Sequence, residues 1–185
     1  MQTDWLSGTI AVGLLSLTAC AVQEPVATRL DSSGLTIVTL REPVVLARPV
    51  PGLASSARDY AYVGPVEVNN MGKRDYYLWI GMASTVDREI AYTLPASADS
   101  VVLLVDGQPM TLTLADWPVR LDRPPYDAAV PFYARFAARA SLHQIRRISE
   151  AESVDMHVIA DTGTSMRYRL WEGGWRSMSL LAHAE

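Results

Sequence analysis

From Leu35 onward the chain is divided into apolar runs of four to nine residues separated by turn residues, and this punctuation constrains the fold more than any other feature. The runs are Leu35 to Leu40, Val44 to Ala47, Tyr60 to Val68, Tyr76 to Ala83, Val101 to Val105, Met110 to Leu114, Val130 to Ala138, Val154 to Ala160, Met166 to Trp171 and Arg176 to Ala184. They are rich in β-branched and aromatic residues and bounded by the chain's eleven Pro and eleven Gly, which reads as a succession of short strands.

Two pairs of runs announce hairpins. In VVLLV-DG-QPMTLTL, Asp106-Gly107 supplies two residues that tolerate positive φ, as a type I′ turn between twisted strands requires. In the second, Val154, Met156, Val158 and Ala160 alternate with polar residues, as do Met166, Tyr168 and Leu170. That period-2 pattern predicts one buried face and one wet face carrying Asp155, His157, Arg167 and Arg169. Residues Tyr76 to Met82 are apolar on both parities, which predicts a central strand covered on both sides.

One helix is expected, about residues 142–151. Ser141 can cap it, Gln144 completes a capping box, and Leu142, Ile145 and Ile148 form an apolar stripe. A competing reading continues a helix from Phe132 to Glu152, because ARFAARA is rich in helix formers. The expected fold is therefore mainly β, a β-sandwich or partly closed barrel of about 8–10 strands with one packed α-helix.

The N-terminus carries an address. Leu6 to Ala19 is uncharged and mostly apolar, long enough for a signal-peptide core and short of the roughly 20 residues that span a bilayer. It ends in Leu17, Thr18, Ala19 and Cys20, which resembles the lipobox of bacterial lipoproteins, and Cys20 is the chain's single Cys. The resemblance implies that the Cys20 thiol takes a diacylglycerol and that cleavage follows Ala19. Anchoring through several acyl chains, at about 0.8 kcal/mol per buried methylene, holds a protein stably at a membrane. The segment Met1 to Trp5 carries Asp4 and no Lys or Arg, a departure from the usual signal. Ala21 after the Cys resembles outer-membrane sorting. The organisation read from sequence is a signal peptide at 1–19, a lipidated tether at 20–34 ending in Ser-Ser-Gly, and a single β-rich domain at 35–185.

Chemical signals are sparse. With 16 Lys+Arg against 20 Asp+Glu the net charge is −4, which argues against nucleic-acid binding. Of the 16 bases 15 are Arg and dispersed, as a GC-rich coding bias produces. His143, His157 and His183 have no metal-ligand spacing, so neither a metal nor a cofactor is expected. Asp161-Thr162-Gly163 resembles the catalytic loop of aspartic proteases, which implies an Asp161 pairing with a twin from a second lobe or subunit. This chain has no second Asp-Thr-Gly, and the same residues suit a polar hairpin loop. Tyr60, Tyr62, Tyr77 and Trp79 fall on two adjacent runs and are candidate ligand-binding residues, a platform for a glycan or a protein if they face outward together.

These readings converge on a lipid-anchored envelope protein at the bacterial outer membrane, facing the periplasm and acting as a non-catalytic interaction module or accessory subunit with an envelope protein partner. The alternatives are a binder of small ligands or cell-wall glycans and, more remotely, a hydrolase using Asp161.

Overall fold

The computed structural model describes residues 26–50, 52, 54–85, 98–115, 121, 123–127, 131–160, 163 and 165–182. Among these residues ten antiparallel strands and two short α-helices follow one another: β1 (Val26–Leu30), β2 (Thr36–Leu40), β3 (Val44–Pro49), β4 (Arg58–Asn70), β5 (Lys73–Ser84), β6 (Ala98–Val105), β7 (Gln108–Ala115), β8 (Ala134–Arg139), α1 (Leu142–Glu150), β9 (Val154–Ala160), β10 (Ser165–Glu172) and α2 (Ser179–Ala182). The strand order is β1-β2-β4-β3-β10-β9-β6-β7-β8-β5, and β5 also pairs with β4. That last pairing closes eight strands, β3 to β10, into a barrel, with β1 and β2 appended along the lower half of β4. The expected mainly β fold is realised as the closed form of the barrel.

Closure follows from register. Leu46, Ala61, Met82 and Ala134 sit side by side across β3, β4, β5 and β8, and Val44, Val63, Ile80 and Phe136 form the next row. Leu112, Val101, Val158 and Met166 form a row of their own across β7, β6, β9 and β10. All of these side chains are buried, and they belong to one hydrophobic cluster. Because side chains alternate across a strand, one parity of every barrel strand points inward, and full burial of each large aliphatic residue stabilises the fold by about 1.5–3 kcal/mol.

The turns follow local chemistry. Asp106 and Gly107 adopt φ values of 51° and 75°, as the two-residue hairpin between β6 and β7 demands. The Ser141–Gln144 capping box is present: Ser141 Oγ accepts from the Gln144 N–H at 3.2 Å, and Gln144 Oε1 accepts from the Ser141 N–H at 2.8 Å. The longer helix from Phe132 is not formed. Ala134 to Arg139 is strand β8, in register with Tyr77 to Met82 of β5, because tertiary pairing outweighs the helix propensity of its alanines.

Two elements differ from the sequence expectation. The Ser-Ser-Gly stop is the turn of a β1–β2 hairpin, so residues 26–34 of the expected tether belong to the sheet. Asp31 holds this turn by accepting hydrogen bonds from the N–H and hydroxyl of Ser33 at 3.2 and 2.7 Å. The run Arg176 to Ala184, expected as a strand, is in its described part, to Ala182, a 3₁₀ turn (Trp175–Met178) leading into α2. There Trp175, Met178, Leu181 and Ala182 recur at helical spacing and are all buried, and a period near three cannot line one face of a strand.

Candidate functional site

Three surfaces carry more than scaffolding: one end of the barrel interior, the outer face of the β4–β5 hairpin, and the edge at β1.

The interior rows end in a polar one. Arg48 of β3, Asp59 of β4 and Ser84 of β5 occupy one register row, on the inward parity set by Leu46, Ala61 and Met82. Asp59 is fully buried; Arg48 Nη2 donates to its Oδ2 at 2.5 Å, and the Ser84 hydroxyl donates to its Oδ1 at 3.0 Å. The Arg48 guanidinium lies over the Tyr168 ring at 5.8 Å, a cation–π distance. Tyr133, just before β8, completes the group: burial raises its hydroxyl pKa far above the usual range, the neighbouring Tyr168 and Asp59 push the same way, and Arg48 opposes them. Two donors in this group, Arg48 Nε and the Tyr133 hydroxyl, are buried and make no hydrogen bond of good geometry. The sequence reading missed this cluster because it ended the run that becomes β3 at Ala47 and began the run that becomes β4 at Tyr60. The available signal was parity, since Asp59 and Arg48 stand in phase with inward residues of their own strands.

On the opposite face of the same strands lie the aromatics singled out from sequence. Tyr60, Tyr62, Gly64 and Val66 of β4 are aligned with Ala83, Gly81, Trp79 and Tyr77 of β5. The four candidates are on one face of the hairpin but are not one platform. Trp79 is fully buried, covered by Tyr126 and Phe132 with ring centroids 5.6 and 5.2 Å away. Tyr126 can lie this close only because position 64 is glycine: a Cβ there would stand 2.3 Å from its ring. Its hydroxyl donates to the Pro65 carbonyl at 2.7 Å and accepts from the Leu40 N–H at 3.2 Å, which pins the cover in place. The covered Gly64–Trp79 row separates half-buried Tyr77 from Tyr62.

Tyr60 and Tyr62 keep company with residues the sequence reading did not choose. Trp171 of β10 packs edge-on to Tyr60 at 6.3 Å, and Phe132 packs edge-on to Tyr62 at 5.4 Å. The register of β10 against β3 shifts between Leu170 and Glu172, and at this bulge both Leu170 (47%) and Trp171 (58%) are exposed. Beside them a groove of about 260 Å³ runs between Glu42, Val45, Tyr62, Asp127 and Glu172. Burial, helped by neighbouring Tyr60 and Glu172, raises the Tyr62 hydroxyl pKa.

The third surface is an edge. Among the described residues β1 pairs only with β2, and Thr28 and Leu30 are exposed. Arg29 fastens the strand by donating to the carbonyls of Arg123 and Pro124 at 2.7 and 3.1 Å. Cys20 and Asp161 lie outside the described residues.

Compared with known proteins, the chain matches no family model, no curated protein and no solved structure.

Proposed function

We propose that this chain is a lipid-anchored protein of the bacterial cell envelope, held at the outer membrane facing the periplasm, whose barrel is a non-catalytic interaction module within a membrane-associated assembly. The observation that carries this reading is the β1 edge. A closed barrel has no free backbone edge, yet here two strands are appended to it, and the outermost, which among the described residues pairs only with β2, offers its other edge for strand addition by a partner. Only residues 21–25 separate β1 from Cys20, so the edge is held beside the membrane, where confinement raises its effective concentration toward membrane-bound partners.

Site-specific cross-linking in intact cells tests the proposal. A photoreactive side chain at Thr28 is expected to trap one discrete partner in fixed proportion, whereas the same group at Thr111, exposed on β7 across the barrel, traps none. Equal and diffuse labelling at both positions would remove the interaction-module reading. A second reading, a binder of small ligands or cell-wall glycans, draws on two donors at the polar barrel end that lack a hydrogen bond of good geometry, Arg48 Nε and the Tyr133 hydroxyl. Thermal stabilisation of the full protein by muropeptides would favour it.

A further inference from the structure

We propose that the exposed aromatic surface around Trp171 seats on the bilayer, so that the lipid anchor and the barrel engage one membrane at two points. The inference rests on lipidation of Cys20 and adds to it an orientation of the barrel. Its first support is the composition of the surface. Trp171 and Leu170 are the exposed apolar pair at the β10 bulge, and Tyr60 holds the indole by its edge. In the register row through Tyr60, the residues on either side are Ala47 and Ala83, which are too small to stand beside it. Arg169 occupies the next position of that row and is exposed. An indole and a phenol with apolar bodies and polar tips, next to a guanidinium on a long aliphatic stem, match the depth profile of a membrane interface.

The second support is where the tether leaves the fold. Six Cα steps separate Cys20 from Val26, so the lipid-bearing Cα cannot lie farther than about 22 Å from the start of β1. Ala27 lines a groove together with Leu40, Glu42, Pro43 and Asp127. Glu42, Pro43 and Asp127 also wall the adjoining groove, whose far side is Tyr62 and Glu172, the residue after Trp171. The tether exit and the exposed indole thus border two adjoining grooves on one side of the barrel. A short tether brings that side to the bilayer, with the carboxylates of Glu42, Asp127 and Glu172 in the grooves between the two contacts.

The test uses full-length protein, isolated from membranes and reconstituted into vesicles of phosphatidylethanolamine and phosphatidylglycerol. A nitroxide is placed at Leu170→Cys or, for comparison, at Thr111→Cys. With its native thiol alone the protein should take up no thiol-directed label and should float with the vesicles; labelling of Cys20 would overturn the anchor and this proposal with it. With the anchor in place, the nitroxide at 170 should be shielded from an aqueous nickel relaxant and open to oxygen, the reverse of the nitroxide at 111. Adding Trp171→Ser should return position 170 to water without releasing the protein from the vesicles. A label at 170 as accessible to nickel as the one at 111, in protein that floats and has a blocked Cys20, would overturn the seating alone and reassign the surface to a protein partner.

Discussion

The two ends of the barrel are finished with opposite chemistry. At one end, where β8 leads into α1 and β10 into the C-terminal turn, Ile145, Ile148, Met178 and Leu181 are buried in the same cluster as the barrel interior. At the other, where β3 and β5 stop and β4 begins, the last inward row is Arg48, Asp59 and Ser84, joined by Tyr133 and Tyr168. The first end is held by volume and the second by pairing, and the two respond differently to substitution. A cavity in an apolar seal loses contacts in proportion to what is removed. A buried ion pair adds little over apolar residues of the same shape, while the loss of one partner strands the other.

The largest effect is therefore expected at the polar end. Asp59→Ala leaves the Arg48 guanidinium, only 22% exposed, without its carboxylate and should lower stability by about 3–5 kcal/mol in urea unfolding. Replacing both partners, as Arg48→Met with Asp59→Leu, should recover most of that loss. A double variant as unstable as Asp59→Ala would break the comparison, because the row would then be held by more than its ion pair.

At the helical end, Ile148→Ala should cost about 3 kcal/mol, since Ile148 is fully buried and the removed carbons leave a cavity. No single substitution of a neighbour should restore it, in contrast to the paired end. A loss below about 1 kcal/mol would mean that α1 rests on the barrel without sealing it.

How much of this was legible in the sequence follows the same division between local and distant causes. The Asp106-Gly107 turn, the Ser141 capping box and the alternation of β9 and β10 as far as Tyr168 are set by residues within a few positions of one another and stand as read, whereas Leu170, expected on the buried face, is exposed at the bulge. Strand β1 was not legible because it is only half-buried and because its fastening to the barrel comes from far along the chain, from the carbonyls at 123 and 124 that Arg29 reaches. The candidate aromatics divide in the same way. That Tyr60 and Tyr62 share a face is a matter of parity, but the cover on Trp79 comes from Tyr126 and Phe132, some fifty residues away, and the ring beside Tyr60 comes from Trp171, more than a hundred away. Arg48 and Asp59 were within reach of the pattern, since each continues its strand's inward parity, but polar residues at the end of an apolar run read as its boundary.

The smallest effect at neutral pH separates two tyrosines, the buried Tyr126 and the half-buried Tyr133. Tyr126→Phe removes a hydroxyl that donates to Pro65 and leaves the Leu40 N–H buried without its acceptor, a loss of about 1–3 kcal/mol. Tyr133→Phe removes a hydroxyl without a well-made hydrogen bond and should change stability by less than about 1 kcal/mol. In alkali the two converge. Burial raises both hydroxyls in the folded protein, whereas in the unfolded chain each ionises near its ordinary value of 10.0. The stability due to the neutral form is thus complete below pH 10; above it the unfolded chain releases a proton that the folded one retains, and stability falls by about 1.4 kcal/mol per pH unit for each tyrosine. Either Phe variant should therefore lose stability less steeply than the parent above pH 10, with equal slopes and different starting points. If Tyr133→Phe instead matched the neutral-pH loss of Tyr126→Phe, the Tyr133 hydroxyl would already be bonded within the fold, and the polar end would have one less donor to offer a ligand.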